Sequence, residues 1–87
     1  MKGRRIPWPE DRIPVDQMKY MEPGDYSGLW MDHLWLLRAP NGDWCSIYGT
    51  SHTVTEHEDG TVTFSPSIQF NTGNHWHGWL ERGEWRQ

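Results

Sequence analysis

The sequence predicts a small, mainly β single domain: an antiparallel sheet of hairpins, about five to six strands, with an extended proline-rich N-terminal arm and at most one short helix. Three observations lead there. Short strand-like runs such as His33–Arg38 and Asp43–Tyr48 are bounded by clusters of Gly, Pro, Asn and Asp, each carrying a turn chemistry. The 87 residues include twelve aromatics, seven of them tryptophan, although hydrophobic residues make up only 34%. A disordered chain is poor in aromatics, so this one folds, and its core must be aromatic and thin. The length allows one domain and leaves no room for a second.

Four of the six prolines, Pro7, Pro9, Pro14 and Pro23, fall in residues 1–28, which read as an extended arm packed on a β-hairpin domain of residues 29–87. Proline fixes φ and removes a donor, so Arg4 to Pro14 should run extended over the surface, with Trp8 tucked toward the core. A short helix fits Val15 to Tyr20. Glu22-Pro23-Gly24-Asp25 is a turn that delivers the chain to the sheet, since proline presets φ at its second position and glycine accepts φ > 0 at the next.

Two runs, His33 to Arg38 and Asp43 to Tyr48, flank Ala39-Pro40-Asn41-Gly42 and form a hairpin. With Gly42 in the left-handed conformation after a type I turn, Ala39 faces Asp43, Leu37 meets Cys45 and Trp35 meets Ile47 on one apolar face. The other face pairs Arg38 with Trp44, Leu36 with Ser46 and Leu34 with Tyr48, and is expected to be half-buried at most. The next hairpin, Thr53 to Ser65, could turn on two residues or three. Only a three-residue loop with Gly60 left-handed sets Val54 against Phe64 and gathers Val54, Val62 and Phe64 on one side, so the hydrophobic pattern selects it. Pro66 ends that strand, Asn71 to Asn74 form a polar loop tip, and Trp76 to Leu80 turns at Arg82-Gly83 into a last strand through Trp85. On that strand Trp76, Gly78 and Leu80 share the core side.

Charge limits the partners. The net charge is −4, but residues 1–20 carry five basic against three acidic side chains, leaving the remainder at −6. An acidic body disfavours nucleic acid, which needs a concentrated basic face. Lys2, Arg4 and Arg5 are read as a solvated tail. No apolar run approaches the roughly 20 residues of a membrane span, and no signal-peptide core follows Met1, so a cytoplasmic protein is expected. The lone Cys45 excludes an internal disulfide.

Chemistry-bearing motifs are sparse. His75 and His77, two apart on a strand, would point to one side and could join Cys45, His52 or His57 around zinc. Yet a structural zinc site needs four ligands at recognisable spacing, so ordinary surface histidines are the better reading, and no metal or other cofactor is expected. No GxSxG, phosphate loop or HExxH is present, and a cysteine inside a strand is usually a small buried hydrophobe, which makes an enzyme the disfavoured class. Glu56, Glu58 and Asp59 at a hairpin tip read as a solvated turn. The tryptophans are more informative, because seven are hard to bury in so short a chain. Trp30, Trp44 and Trp79 are the candidates for exposed binding anchors, with Arg38 beside Trp44.

The segment from Glu58 to Trp85, with Pro66-Ser67-Ile68 and then Trp76-His77-Gly78-Trp79-Leu80, Gly83 and Trp85, resembles small uncharacterised phage and bacterial proteins of the DUF6527 type. The resemblance covers the last third of the chain. Members of that family carry a cysteine-rich cluster and a later Cys-x-x-His pair that look like a zinc site; here Asn74 stands at the cysteine position, His77 matches the histidine, and the cluster is reduced to Cys45. The resemblance therefore implies a branch that has lost the metal. It also implies a phage-type accessory protein that acts by binding a macromolecule of the host or phage, most readily a protein, through an acidic and aromatic surface. The alternatives are a nucleic-acid binder using the basic arm and tryptophan stacking, a residual zinc domain, and self-association as a homodimer through open strand edges.

Overall fold

The computed structural model describes residues 1–48 and 52–87 and is mainly β. Among the described residues, nine strands form three sheets: β1 (Arg4–Arg5), β2 (Asp25–Trp30), β3 (Leu34–Arg38) and β4 (Trp44–Tyr48) in spatial order; β5 (Thr53–Glu56) with β6 (Val62–Ser65); and β7 (Ile68–Gln69), β8 (His77–Glu81) and β9 (Glu84–Arg86). Among the described residues the one short α-helix is α1 (Pro14–Gln17), continued by a 3₁₀ turn over Met18–Tyr20. Proline at its first position suits a helix start, where the N–H would lack a partner anyway.

The turns explain the registers. Ala39 N–H donates to Asp43 O (2.8 Å) and Gly42 N–H to Ala39 O (2.8 Å), while Gly42 takes φ +94°; His57, Gly60 and Thr61 repeat this arrangement with Gly60 at φ +86°. Both are three-residue loops closed by a left-handed glycine. The pairs that follow are Arg38 with Trp44, Leu37 with Cys45, Trp35 with Ile47 and Val54 with Phe64, as the hydrophobic pattern requires. Asp25 N–H closes the Glu22–Asp25 turn on Glu22 O (3.0 Å), with Gly24 at φ +92°.

One core joins all three sheets. Tyr26, Trp35, Leu37 and Ile47 from the four-stranded sheet meet Val62 and Phe64 of β6, Ile68 of β7, Leu80 of β8 and Trp85 of β9, together with Phe70, Trp76 and Ala39. Trp35 meets Phe64 edge-on at 5.5 Å, and Trp76 meets Phe70 at 5.6 Å and Trp85 at 5.4 Å in the same manner. Such perpendicular pairs set the positive ring edge against the negative face.

The N-terminal segment departs from expectation. Lys2, Arg4 and Arg5 are not a solvated tail: Arg4–Arg5 adds to β2 as a parallel strand, Arg4 forks onto the buried Asp25 (3.0 Å), and Arg5 reaches Glu56 (2.8 Å) and lies over the Trp35 ring at 5.2 Å. Leu34 and Leu36, expected to be half-buried, are buried. The cause is a polar clamp that lays the helix and the arm over that side of the sheet. The buried Gln17 amide donates to Pro7 O (2.9 Å) and Ser27 Oγ (2.9 Å), and Ser27 Oγ donates to Ile6 O (2.6 Å). Trp8 stays outside the core cluster, half-buried and stacked on Trp30.

Asp43 fixes the last third to the β3–β4 hairpin. Its buried carboxylate accepts from Asn74 N–H (3.1 Å), Trp76 N–H (3.1 Å) and the Asn41 amide (3.0 Å). Burial pushes this carboxyl up, but the hydrogen bonds from Asn74, Asn41 and Trp76 together outweigh it and hold it below the usual carboxylate range. The 71–74 loop is thus anchored to this charge by the Asn74 N–H, with the Trp76 N–H just beyond it.

Candidate functional site

The four candidate binding residues occupy three separate environments. Trp44 lies half-buried on β4 with the Arg38 guanidinium 4.9 Å above its ring. Arg38 also donates to Met21 O (2.9 Å) and Gly42 O (3.2 Å), so its charge is already spent on bracing the hairpin to the 21–24 turn. Trp79 is 44% exposed on the outer face of β8, beside His77 (6.0 Å) and opposite Arg86. Trp30 ends β2, half-buried, and belongs to a longer aromatic row.

That row is the most developed surface feature of the described residues. Trp8 stacks on Trp30 (6.2 Å between centroids, 17° between planes), Trp30 meets His33 (6.3 Å), and His33 stacks on Tyr48 (5.4 Å, 9°). The local backbone produces it. Between Ser27 and Trp30 the pairing of β2 with β3 slips by one residue, so that Gly28 and Leu29 together oppose Trp35. A Cβ on Gly28 would lie 2.3 Å from the Trp35 ring, so only glycine lets that indole close on the strand there. The bulge turns Leu29 outward, 41% exposed, and re-aims Trp30 toward Trp8.

Next, Met31 (φ 50°) and Asp32 (φ 62°) reverse the chain in two successive left-handed residues, closed by His33 N–H on Trp30 O (3.2 Å). Aspartate tolerates this conformation, whereas methionine does so at a cost on the order of 1 kcal/mol. His33 Nδ1 lies 2.6 Å from Met31 O, and because a carbonyl only accepts, Nδ1 carries a hydrogen. The outcome is Met31 held 67% exposed beside the Trp8–Trp30 stack. Trp8 is set from its own side by Pro7 and Pro9 and by its indole N–H on Arg12 O (2.6 Å). Trp8, Glu10, Leu29, Trp30, Met31 and Asp32 line a cleft of about 270 Å³.

The metal candidates do not come together. His75 precedes β8 in a left-handed conformation (φ 56°), so strand alternation does not align it with His77 as expected. His77 Nε2 pairs with Ser67 Oγ (3.0 Å), His57 Nε2 with Thr63 Oγ1 (2.7 Å), and His52 lies within reach of Ser67 O (3.2 Å). Cys45 faces the core from β4, half-buried, and burial pushes its thiol up. Among the described residues no three His, Cys, Asp or Glu side chains gather as a metal site would require. At the acidic hairpin tip, the Thr61 hydroxyl and then its N–H hold Asp59 below the usual carboxylate range, and Glu56 pairs with Arg5.

Sequence reasoning singled out Trp30 but missed Trp8, Met31, His33 and Tyr48 as its neighbours. The available signal was the Pro-flanked Trp8, which cannot belong to a central strand. No helix among the described residues is long and apolar enough to cross a membrane. Compared with models of protein families, with curated proteins and with solved structures, the chain matches none.

Proposed function

We propose that this chain is a non-enzymatic, phage-type accessory module that binds a host or phage protein through the aromatic surface at the β2–β3 turn. The observation that carries the reading is the row Trp8–Trp30–His33–Tyr48 with Leu29 and Met31 exposed beside it. Exposed aromatic and thioether side chains around a cleft are the composition of binding hot spots, and methionine adapts to irregular partners. The strained turn adds support: backbone strain spent on holding an apolar side chain in water has no stabilising purpose within the fold. Buried polar groups support the non-enzymatic part, because Gln17, Asp25, Ser27 and Asp43 are all engaged in bonds that brace the scaffold. Arg4 and Arg5, which a nucleic-acid binder would use, are held in ion pairs with Asp25 and Glu56.

The test is capture from host lysate with the wild-type chain, Met31→Asp and Trp79→Ala. Aspartate suits the left-handed backbone at position 31, so the first variant changes the surface while keeping the turn. A protein retained at stoichiometric level by wild type and Trp79→Ala, and lost with Met31→Asp, is the expected result. Retention indifferent to Met31→Asp overturns the assignment of the surface, and no retained protein overturns the binding role.

A further inference from the structure

The cleft between the arm and the β2–β3 turn has an uncompensated charge. Glu10 and Asp32 line it, no basic side chain does, and neither carboxylate enters any of the ion pairs formed among the described residues. The cations nearby in sequence are already engaged: Arg12 lies 3.9 Å over the Tyr20 ring and donates to Gln17 Oε1 (3.1 Å), and Lys19 pairs with Asp16 (3.2 Å). Trp8 and Trp30, stacked on each other, line the same cleft as the two carboxylates, and the face of an indole carries negative charge. Carboxylates and indole faces together are complementary to a planar cation, which stacks on the ring and donates sideways to the oxygens.

Resting on the binding role argued above, we propose that this cleft takes the guanidinium of an arginine presented by the partner protein. Arginine is favoured over lysine because its flat, delocalised fork can stack and make in-plane hydrogen bonds at once, whereas an ammonium is compact and strongly hydrated. The Leu29 and Met31 side chains then cover the aliphatic stem of that arginine. The cleft has the volume for one such side chain, about 270 Å³.

The experiment titrates the full chain with a short peptide of alternating glycine and arginine, and with its lysine and citrulline counterparts. Binding is followed through the indole N–H resonances of Trp8 and Trp30. The arginine peptide should shift both signals, the citrulline peptide should shift neither, and Glu10→Gln with Asp32→Asn should weaken binding by roughly tenfold, as two exposed charge contacts would. Both positions are exposed, so the fold should tolerate these changes, and Glu10→Gln alone provides a milder second variant. Equal binding of the lysine peptide, indifference to both variants, or shifts confined to other tryptophans would overturn the proposal. If the arginine peptide fails while lysate capture remains sensitive to Met31→Asp, the guanidinium assignment falls and the binding role stands. If both fail, the binding role falls first.

Discussion

Replacing Trp85 by phenylalanine isolates the contact that ties the last strand to the first turn. Trp85 is 2% exposed, and its indole N–H donates to Gly24 O at 2.7 Å, within the Glu22–Asp25 turn. Phenylalanine keeps an aromatic ring against Trp76 and Phe70 but removes that donor. The Gly24 carbonyl then retains only the long contact from Arg4 N–H at 3.4 Å, and a buried acceptor left nearly unpaired costs about 1–2 kcal/mol. The smaller ring leaves a void of roughly one water, ~30–40 Å³, which at about 24 cal/mol per Å³ adds ~1 kcal/mol. The void cannot close easily, because Gly3 packs against the indole nitrogen so tightly that a Cβ there would sit 2.8 Å away.

The expected loss is therefore about 2–3 kcal/mol, or a fall in Tm of roughly 10–20 °C for a domain of this size. Urea unfolding followed by far-UV circular dichroism measures it without the confusion of seven overlapping indole emissions. The control is Trp79→Phe on the exposed face of β8, which should change stability by no more than about 0.5 kcal/mol. Equal effects of the two substitutions would refute the reasoning, since they differ in burial and in the Gly24 bond and in little else.

Three further outcomes follow from the same geometry. The depressed Asp43 carboxyl contributes stability that is present above its unfolded value, about 3.9, and lost as pH falls through the lower folded value; Asp43→Asn should flatten the acid limb of the stability curve below about pH 4, and an unchanged limb would count against the anchor. Gly78→Ala places a Cβ 2.1 Å from Arg86 O and 2.5 Å from the Trp76 ring, so it should cost about 2–3 kcal/mol in chemical denaturation, whereas Gly60→Ala meets no atom within 4 Å and should cost only the left-handed backbone penalty of about 1 kcal/mol. Cys45, with its thiol pushed up by burial, should react with iodoacetamide at pH 8 at least about tenfold more slowly in the native chain than in urea, and equal rates would place the thiol outside the core.

What was legible in the sequence was set locally. Gly42 and Gly60 each follow a turn that needs a left-handed residue, and once the loop length is known every pair down the hairpin is fixed, which is why Leu37 with Cys45 and Val54 with Phe64 could be assigned in advance. The aromatic core followed from the same alternation, as with the buried Trp76 just before β8 and Leu80 within it, and the exposed Trp79 on the other side. What was hidden depended on partners distant in sequence. Nothing local says that Gln17, a polar residue in a four-residue helix, will be buried by bonds to Pro7 and Ser27, or that Arg4 will find Asp25. Those contacts turned a tail into a strand and buried Leu34 and Leu36.

The proposed binding surface lies where these two kinds of information meet. Trp30 could be picked out as an anchor because seven tryptophans are hard to bury in so short a chain, but its surroundings depend on a bulge at Gly28 that the hydrophobic pattern does not show and on an arm whose path is set by the Gln17 clamp. The bulge turns Leu29 outward, the clamp brings Trp8 and Glu10 across, and the left-handed pair Met31–Asp32 closes the other wall. Each wall is thus held by a separate, structurally committed element. A cleft assembled this way is preformed, so a partner would lose little ordering entropy on meeting it, and affinity would come from a few contacts concentrated there. The acidic anchor at Asp43 and the paired arginines of the arm lie outside this cleft and serve the fold. It follows that changes at Met31, Glu10 and Asp32 should alter recognition with little effect on stability, while changes at Trp85, Gly78 and Asp43 should do the reverse.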